Sequence, residues 1–318
     1  MEVSSFSASP KAYSCSSTES LLKRIKVPLW NRYLLSLPLN RRTVQPLVPR
    51  TGFPQLKKNH LQVLCSQNKG VTVIEDRCMD EIYDALAERL VPTSAAASNP
   101  NLKYIVGLAG PPGAGKTTLA SEVVRRVNKL WPQKACSFDS EVEPPDVATV
   151  LSMDGFHLYR AQLDKMEDPE EGHARRGAPW TFSPMLLLNC LTKLRNEGSV
   201  YAPSFDHGVG DPVEDDIFVS LQHKVVIVEG NYLFLEEGLW KDVSCIFDEK
   251  WFIELDLDEA MQRVLRRHIS TGKPPDVAKC RIEYNDRPNA ELIMKSKKNA
   301  DLIIRSVDFS RYKEKLKK

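Results

Sequence analysis

The chain has 318 residues, 42% of them hydrophobic and 27% charged, enough for one large core or two small ones, which excludes a collagen-like or wholly disordered chain. Its net charge of +2 hides a split, since residues 1–69 carry 11 of the 44 Lys+Arg and only 2 of the 42 Asp+Glu. The remaining 33 basic and 40 acidic residues leave about −7, which argues against a duplex-DNA or RNA binder that would gain affinity by neutralising phosphates. The seven cysteines form no CxxC pair, against a zinc module or disulfide scaffold, and no apolar run reaches 18 residues, so no membrane-spanning helix is expected.

From the N-terminus, Ser4, Ser5, Ser7, Ser9, Ser14, Ser16, Ser17 and Ser20 precede a basic stretch containing Arg24, Arg32, Arg41, Arg42 and Arg50. This composition reads as a plastid transit peptide over 1–66, with Val63-Leu64-Cys65-Ser66 resembling a stromal cleavage site. The expected compartment is the chloroplast stroma, with mitochondrion or cytoplasm as alternatives, and a disordered basic arm is the plainer reading of the same residues. Over 67–100 the apolar residues Ile82, Tyr83, Leu86, Ala87 and Leu90 predict an amphipathic helix from Glu75 to Leu90, followed by a linker that Pro92 and Pro100 break.

The third segment, 101–318, alternates short apolar runs with amphipathic stretches. Strands are predicted at 104–109, 147–153, 225–228, 251–255 and 302–304, the pattern of strands buried on both faces of a parallel sheet. The expected fold is a three-layer α/β sandwich with about five mainly parallel strands. The stretch Asp164–Pro179, polar and rich in Pro and Gly, reads as a surface loop long enough to serve as a flap or substrate loop.

Gly110-Pro111-Pro112-Gly113-Ala114-Gly115-Lys116-Thr117 matches G-x-x-x-x-G-K-[ST], directly after the first of these strands and before a helix predicted over Thr118–Leu130. Glycines let backbone N–H groups close around phosphate oxygens, and the helix sets its positive end on the same anion. Lys116 would bridge the terminal phosphates of ATP and Thr117 would hold Mg2+, placing residues 110–118 in the nucleotide site. No N-K-x-D element and no strand ending in Asp-Glu follows, which disfavours a GTPase or a helicase-type ATPase.

Two strands end in acids instead. The strand before Asp154-Gly155-Phe156-His157 places Asp154 at the ligand end of the sheet, where a carboxylate can take the proton of an attacking hydroxyl, ligate magnesium from a distance or cap the next helix. Glu229, after Val225-Val226-Ile227-Val228, stands where an acid would hold a magnesium-bound water or contact the acceptor, and a plain strand-end carboxylate is the blander reading. Asp154, Lys116 and Glu229 are the candidate catalytic residues, and Thr117 and Glu229 the candidate metal ligands.

The P-loop, Ser152-Met153-Asp154-Gly155-Phe156-His157, Arg176-Gly177-Ala178-Pro179-Trp180-Thr181-Phe182, the segment from Val200 to His207, Ile227 to Tyr232 and Arg266-Arg267-His268 together resemble the phosphoribulokinase/uridine kinase family, over roughly Leu102 to Arg305. Within it the likeness is nearest to the bacterial nucleoside/nucleotide kinase-like, fructose-transport-associated branch. The resemblance implies a P-loop kinase fold with an Arg-bearing helical lid, the base role for Asp154, and ATP and Mg2+ as cofactors. It draws an acceptor pocket from His157, Arg176, Tyr201, Phe205, Asp206 and His207, where the aromatics could equally be core packing. It also implies lid arginines, here Arg263 and Arg267 on one face of a helix over 258–270 together with Arg266, for which an ion-paired surface helix is the alternative.

The implied activity is transfer of a phosphoryl group from ATP to a hydroxyl of a small metabolite, with a degenerate nucleotide-binding regulator or scaffold as the competing reading. The family's uridine-binding signature is only partly met, so nucleoside, ketose, pantothenate and glycerate acceptors stay open, as does oligomeric state, with a homodimer as one option. The turn Asn285-Asp286-Arg287-Pro288-Asn289 has no role that its residues announce.

Overall fold

The computed structural model describes residues 71–305 apart from 77, 94–95, 97, 100–101, 136–144 and 207. The leader reading of 1–66 and His207 therefore lie outside the described residues. Among the described residues, six parallel strands form one sheet in the order β1-β8-β7-β2-β6-β3: β1 (Thr72–Ile74), β2 (Tyr104–Ala109), β3 (Ala148–Ser152), β6 (Val225–Gly230), β7 (Glu249–Glu254) and β8 (Leu302–Arg305). The remaining strands, β4 (Val200–Asp206) and β5 (Asp211–Val219), make a separate antiparallel hairpin.

Side chains alternate across the central strands, and this produces the three layers. Val106 and Leu108 of β2, with Val225 and Ile227 of β6, face one core shared with α1 (Met79–Leu90), α2 (Lys116–Ala135) and α7 (Leu257–Ser270). Ile105 and Ala109, with Val226 and Val228, face a second core built with α5 (Pro184–Glu197) and α6 (Leu239–Ser244). The short helices α3 (Arg160–Leu163) and α4 (Pro169–Ala174) lie between β3 and α5, and α8 (Pro275–Arg281), a π-turn at Ile282–Asp286 and α9 (Arg287–Lys295) form one continuous helical run before β8.

Several elements depart from the sequence expectation for identifiable reasons. The helix expected within 67–100 is present as α1, and with β1 it joins the sheet domain: β1 extends the sheet and α1 buries Ile82, Leu86 and Leu90 in the first core, each worth about 1.5–3 kcal/mol of apolar burial. The sheet has six strands rather than about five because β1 is a three-residue edge with too little length to register as an apolar run. The stretch 164–179 is not structureless: Pro169 sits at the first turn of α4, and Asp168 Oδ1 accepts from Glu171 N at 2.9 Å as its cap.

One glycine fixes how the sheet meets the hairpin. A Cβ on Gly155 would lie 2.1 Å from the Pro203 carbonyl oxygen and 2.7 Å from its carbon, so backbone would have to move. Gly155→Ala should therefore lose about 1–3 kcal/mol of stability, read as a lower Tm, and should disturb the turn that carries Asp154. An unchanged Tm would show that the hairpin yields without cost. No helix among the described residues is long and apolar enough to cross a membrane.

Candidate active site

The site lies at the carboxyl ends of three adjacent strands. Because β6 runs between β2 and β3, Glu229 pairs in register with Leu108 on one side and Ser152 on the other. The loop that follows β2 and the turn that follows β3 must then flank Glu229, the crevice where doubly wound sheets bind ligands.

In the loop, Gly113 and Gly115 hold φ angles of +83° and +92°, which side chains rarely adopt. Leu119 N donates to Gly115 O at 2.9 Å, so helix α2 starts straight out of the loop. Lys116 folds back over it, its Nζ donating to Gly110 O at 2.9 Å and Pro111 O at 3.2 Å. Space is open beside Gly115, with nothing within 4 Å of a Cβ built on it, at the start of α2, where free N–H groups and the positive helix end favour an anion.

Glu229 is 5% exposed and takes hydrogen bonds on Oε1 from Ser152 Oγ at 2.8 Å and Thr117 Oγ1 at 3.3 Å. Burial raises its carboxyl above the ordinary range and the charge of Asp154 adds to this, while Lys116 and the two hydroxyl bonds oppose it. Burial likewise pushes the Lys116 ammonium below its usual value, with Glu229 and Asp154 pulling it back and Arg267 reinforcing the fall. Ser152 Oγ also accepts from Asp154 N at 3.2 Å, so the Asp154 turn and the phosphate loop meet at Glu229.

A consequence for stability follows from the raised Glu229. A carboxyl that holds its proton more tightly when folded stabilises below its unfolded pKa, and that contribution is lost as pH climbs through the folded value. Glu229→Gln should therefore raise the Tm of the nucleotide-free protein in EDTA at pH 8, with the gain shrinking toward pH 5. A gain that grows on acidification would contradict the assignment.

Asp154 stands in the 3-10 turn Met153–Phe156, its N–H donating to Ser152 Oγ at 3.2 Å and its carbonyl 2.8 Å from His157 Nδ1. His157 lies with its ring centroid 3.8 Å from Phe182 and 4.6 Å from Phe205. Arg176 sits over the Phe205 ring at 5.8 Å and donates through Nη2 to Leu158 O at 2.9 Å and Asp211 Oδ1 at 3.1 Å. Its Nε and Nη1 are buried without a hydrogen-bond partner among the described residues. His157, Arg176 and Phe205 are thus brought together next to Asp154.

Two other acceptor candidates are not. Tyr201 is 59% exposed and stacks on its cross-strand neighbour Phe218 at 4.5 Å, four residues along β4 from Phe205. Asp206 spends its carboxylate on the hairpin turn, Oδ1 accepting from Gly208 N at 2.7 Å and Val209 N at 3.2 Å. Ser152, Asp211 and Tyr232 have no role of their own in the sequence expectation; the Tyr232 hydroxyl donates to Gly177 O and ties the segment after β6 to the Arg176 turn.

Helix α7 lies against the loop: a Cβ on Gly113 would meet Ala260 O at 2.7 Å, and Arg263 Nη1 reaches Gly113 O at 3.5 Å while Nη2 pairs with Glu259 at 2.6 Å. Arg267 projects into solvent near Lys116, whereas Arg266 turns back onto Gln262 O at 3.4 Å and takes no part. Arg263 is thus ion-paired with Glu259 and lies beside the loop at Gly113.

The donor set suits a hard divalent ion, which takes few protein ligands and completes its shell with phosphates and water. Thr117, Ser152 and Glu229 supply two hydroxyls and one carboxylate within bonding distance of each other. Thr117 and Glu229 are the residues that could hold such an ion.

Comparisons with known proteins agree with this geometry. A candidate uridine kinase from Schizosaccharomyces pombe is 34% identical over 232 residues, covering 72% of this chain and 90% of its own. YggC from Escherichia coli is 32% identical over 214 residues, covering 67% and 82%. Among solved structures, a candidate fructose transport system kinase from Silicibacter superposes with a TM-score of 0.57 at 27% identity, covering 70% of this chain and 98% of that one. YFH7 from Saccharomyces cerevisiae gives 0.59 at 20% identity, covering 74% and 100%, a likeness of fold alone. The model of the phosphoribulokinase/uridine kinase family matches residues 105–311, and with P-loop, strand-end acids and sheet order in place, the chain belongs to that family of P-loop kinases.

Proposed function

We propose that the protein is a magnesium-dependent ATP phosphotransferase that moves the γ-phosphoryl group to a hydroxyl of a small metabolite. The observation that carries this is the chain of contacts from the phosphate loop to the Asp154 turn: Glu229 accepts from Thr117 Oγ1 and Ser152 Oγ, and Asp154 N–H donates to that same Ser152 Oγ. Lys116 leaves the Gly110 and Pro111 carbonyls to hold the terminal phosphates, and Arg263 and Arg267 face the same anion from α7. Bound magnesium would supply charge neutralisation at the phosphates, with Thr117 and Glu229 orienting it.

Asp154 is then the base for the acceptor hydroxyl, and His157, Phe205 and Arg176 bound the acceptor's place. The two unpaired nitrogens of Arg176 support this, because a buried guanidinium edge without a partner is rare and an acceptor rich in lone pairs would complete it. The basic Ser-rich stretch 1–66 supports the plastid stroma as its compartment.

Thermal-shift measurement tests the reading. With a non-hydrolysable ATP analogue and magnesium present, at least one member of a nucleoside, ketose, pantothenate and glycerate series should raise Tm further. A response to nucleotide alone across the series would favour a regulator over an enzyme.

A further inference from the structure

The π-turn at Ile282–Asp286 interrupts the α8–α9 helix, and such insertions cluster at functional places because they turn neighbouring side chains in different directions. Here three consecutive residues reach three different partners. Tyr284 donates to Glu171 of α4 and carries the Arg175 guanidinium 5.5 Å above its ring. Asp286 Oδ2 lies 2.7 Å from His268 Nε2 near the end of α7. Asn285, 1% exposed, faces the Arg175–Gly177 turn between them.

The amide of Asn285 is used on both ends. Its Oδ1 accepts from Arg175 Nε at 3.3 Å and Asn289 Nδ2 at 2.9 Å, and its Nδ2 donates to the Arg176 carbonyl at 3.1 Å. Arg281 adds a second donor to that carbonyl at 3.2 Å, and Tyr232 holds the next one, at Gly177. The backbone of Arg176 is therefore set by the π-turn and the segment after β6, while its side chain lies over Phe205. On the other side, α7 touches the phosphate loop at Gly113 and joins the π-turn through His268 and Asp286. A further tie, Arg287 to Asp258 at 2.9 Å, links α9 to the first turn of the same helix.

We infer that Asn285 is a positioning residue that ties the π-turn, itself joined to α7 through Asp286 and His268, to the Arg175–Gly177 turn, so that filling the phosphate cradle orders the acceptor side. The inference rests on the nucleotide reading of residues 110–117. Coupling passes through packed and hydrogen-bonded neighbours, each of which has fixed geometry. Asn is required, because an aspartate would keep the acceptor for Arg175 but lose the donor to the Arg176 carbonyl and set an anion against it.

Hydrogen exchange of the full-length protein, with and without magnesium and the imido analogue of ATP, reads this directly. The amides of the turn report its opening, since Gly177 N donates to Thr181 Oγ1 at 2.9 Å and Ala178 N to Arg175 O at 2.8 Å. In the parent protein, peptides over 110–118 and over 172–181 should both exchange several-fold more slowly with analogue bound. N285A and the near-isosteric N285D should keep the first effect and lose the second, with exchange over 225–230 unchanged to show an intact sheet. A turn that ignores the analogue while 110–118 responds, or an N285D protein that responds in full, overturns the inference. No slowing at 110–118 in the parent would instead overturn the nucleotide reading, and this inference with it.

Discussion

Asp154→Asn should lower acceptor-dependent turnover by about 10²–10⁴-fold, the usual worth of a positioned base, and leave the affinity for magnesium-ATP within a factor of about two. The structure explains why the substitution is clean. The turn holding Asp154 is fixed by its main chain, through Ser152 Oγ and His157, and not by hydrogen bonds to its carboxylate among the described residues. Asn therefore keeps the shape and removes the proton acceptor. Single-turnover rates and equilibrium nucleotide binding separate the two effects, and a loss confined to nucleotide affinity would move Asp154 from base to phosphate site.

Lys116→Met should cost at least as much, by a different route. The ammonium rests on the Gly110 and Pro111 carbonyls beside Glu229 and Asp154, and from there it swings to the phosphates when nucleotide arrives. Removing a donor at developing charge typically costs about 10²–10³ in rate, and here nucleotide affinity falls as well. The side effect on the carboxylates has a definite sign: without the cation, Glu229 should hold its proton more tightly still. Binding measured across pH 5 to 8 should then weaken more steeply on acidification than in the parent. Parent-like affinity and rate would refute the assigned cradle.

How much of this was legible beforehand depends on whether a feature is contiguous in the chain. The phosphate loop and Asp154 each come just after an apolar strand and Glu229 near the end of another, so a local pattern locates them at the ends of the sheet. The hairpin was not visible as strands because β5 is mostly exposed and the two strands are interrupted by Pro203, Pro212 and the acidic run Glu214–Asp216, where Asp215 has a φ of 52°. That same exposure separates Phe205, which faces His157, from Tyr201, which faces Phe218. Nothing in the linear order distinguishes them.

Asn285 shows the opposite limit. It is buried at the junction of three segments distant in sequence, and its meaning comes from a π-turn that no periodicity announces. Asp211 and Tyr232 are similar, one neutralising Arg176 from across the hairpin and the other holding the Gly177 carbonyl from just after β6. Side chains that support others leave weak local signals, since their neighbours supply the context.

The most direct measurement of the central claim is the fate of the γ-phosphoryl group, followed with γ-labelled ATP, magnesium and the same series of alcohols. Transfer from the Lys116 cradle to a hydroxyl deprotonated by Asp154 predicts label in a phosphomonoester of one acceptor, formed by the parent and not by Asp154→Asn. Label released only as inorganic phosphate, at a rate that no alcohol changes, would contradict it.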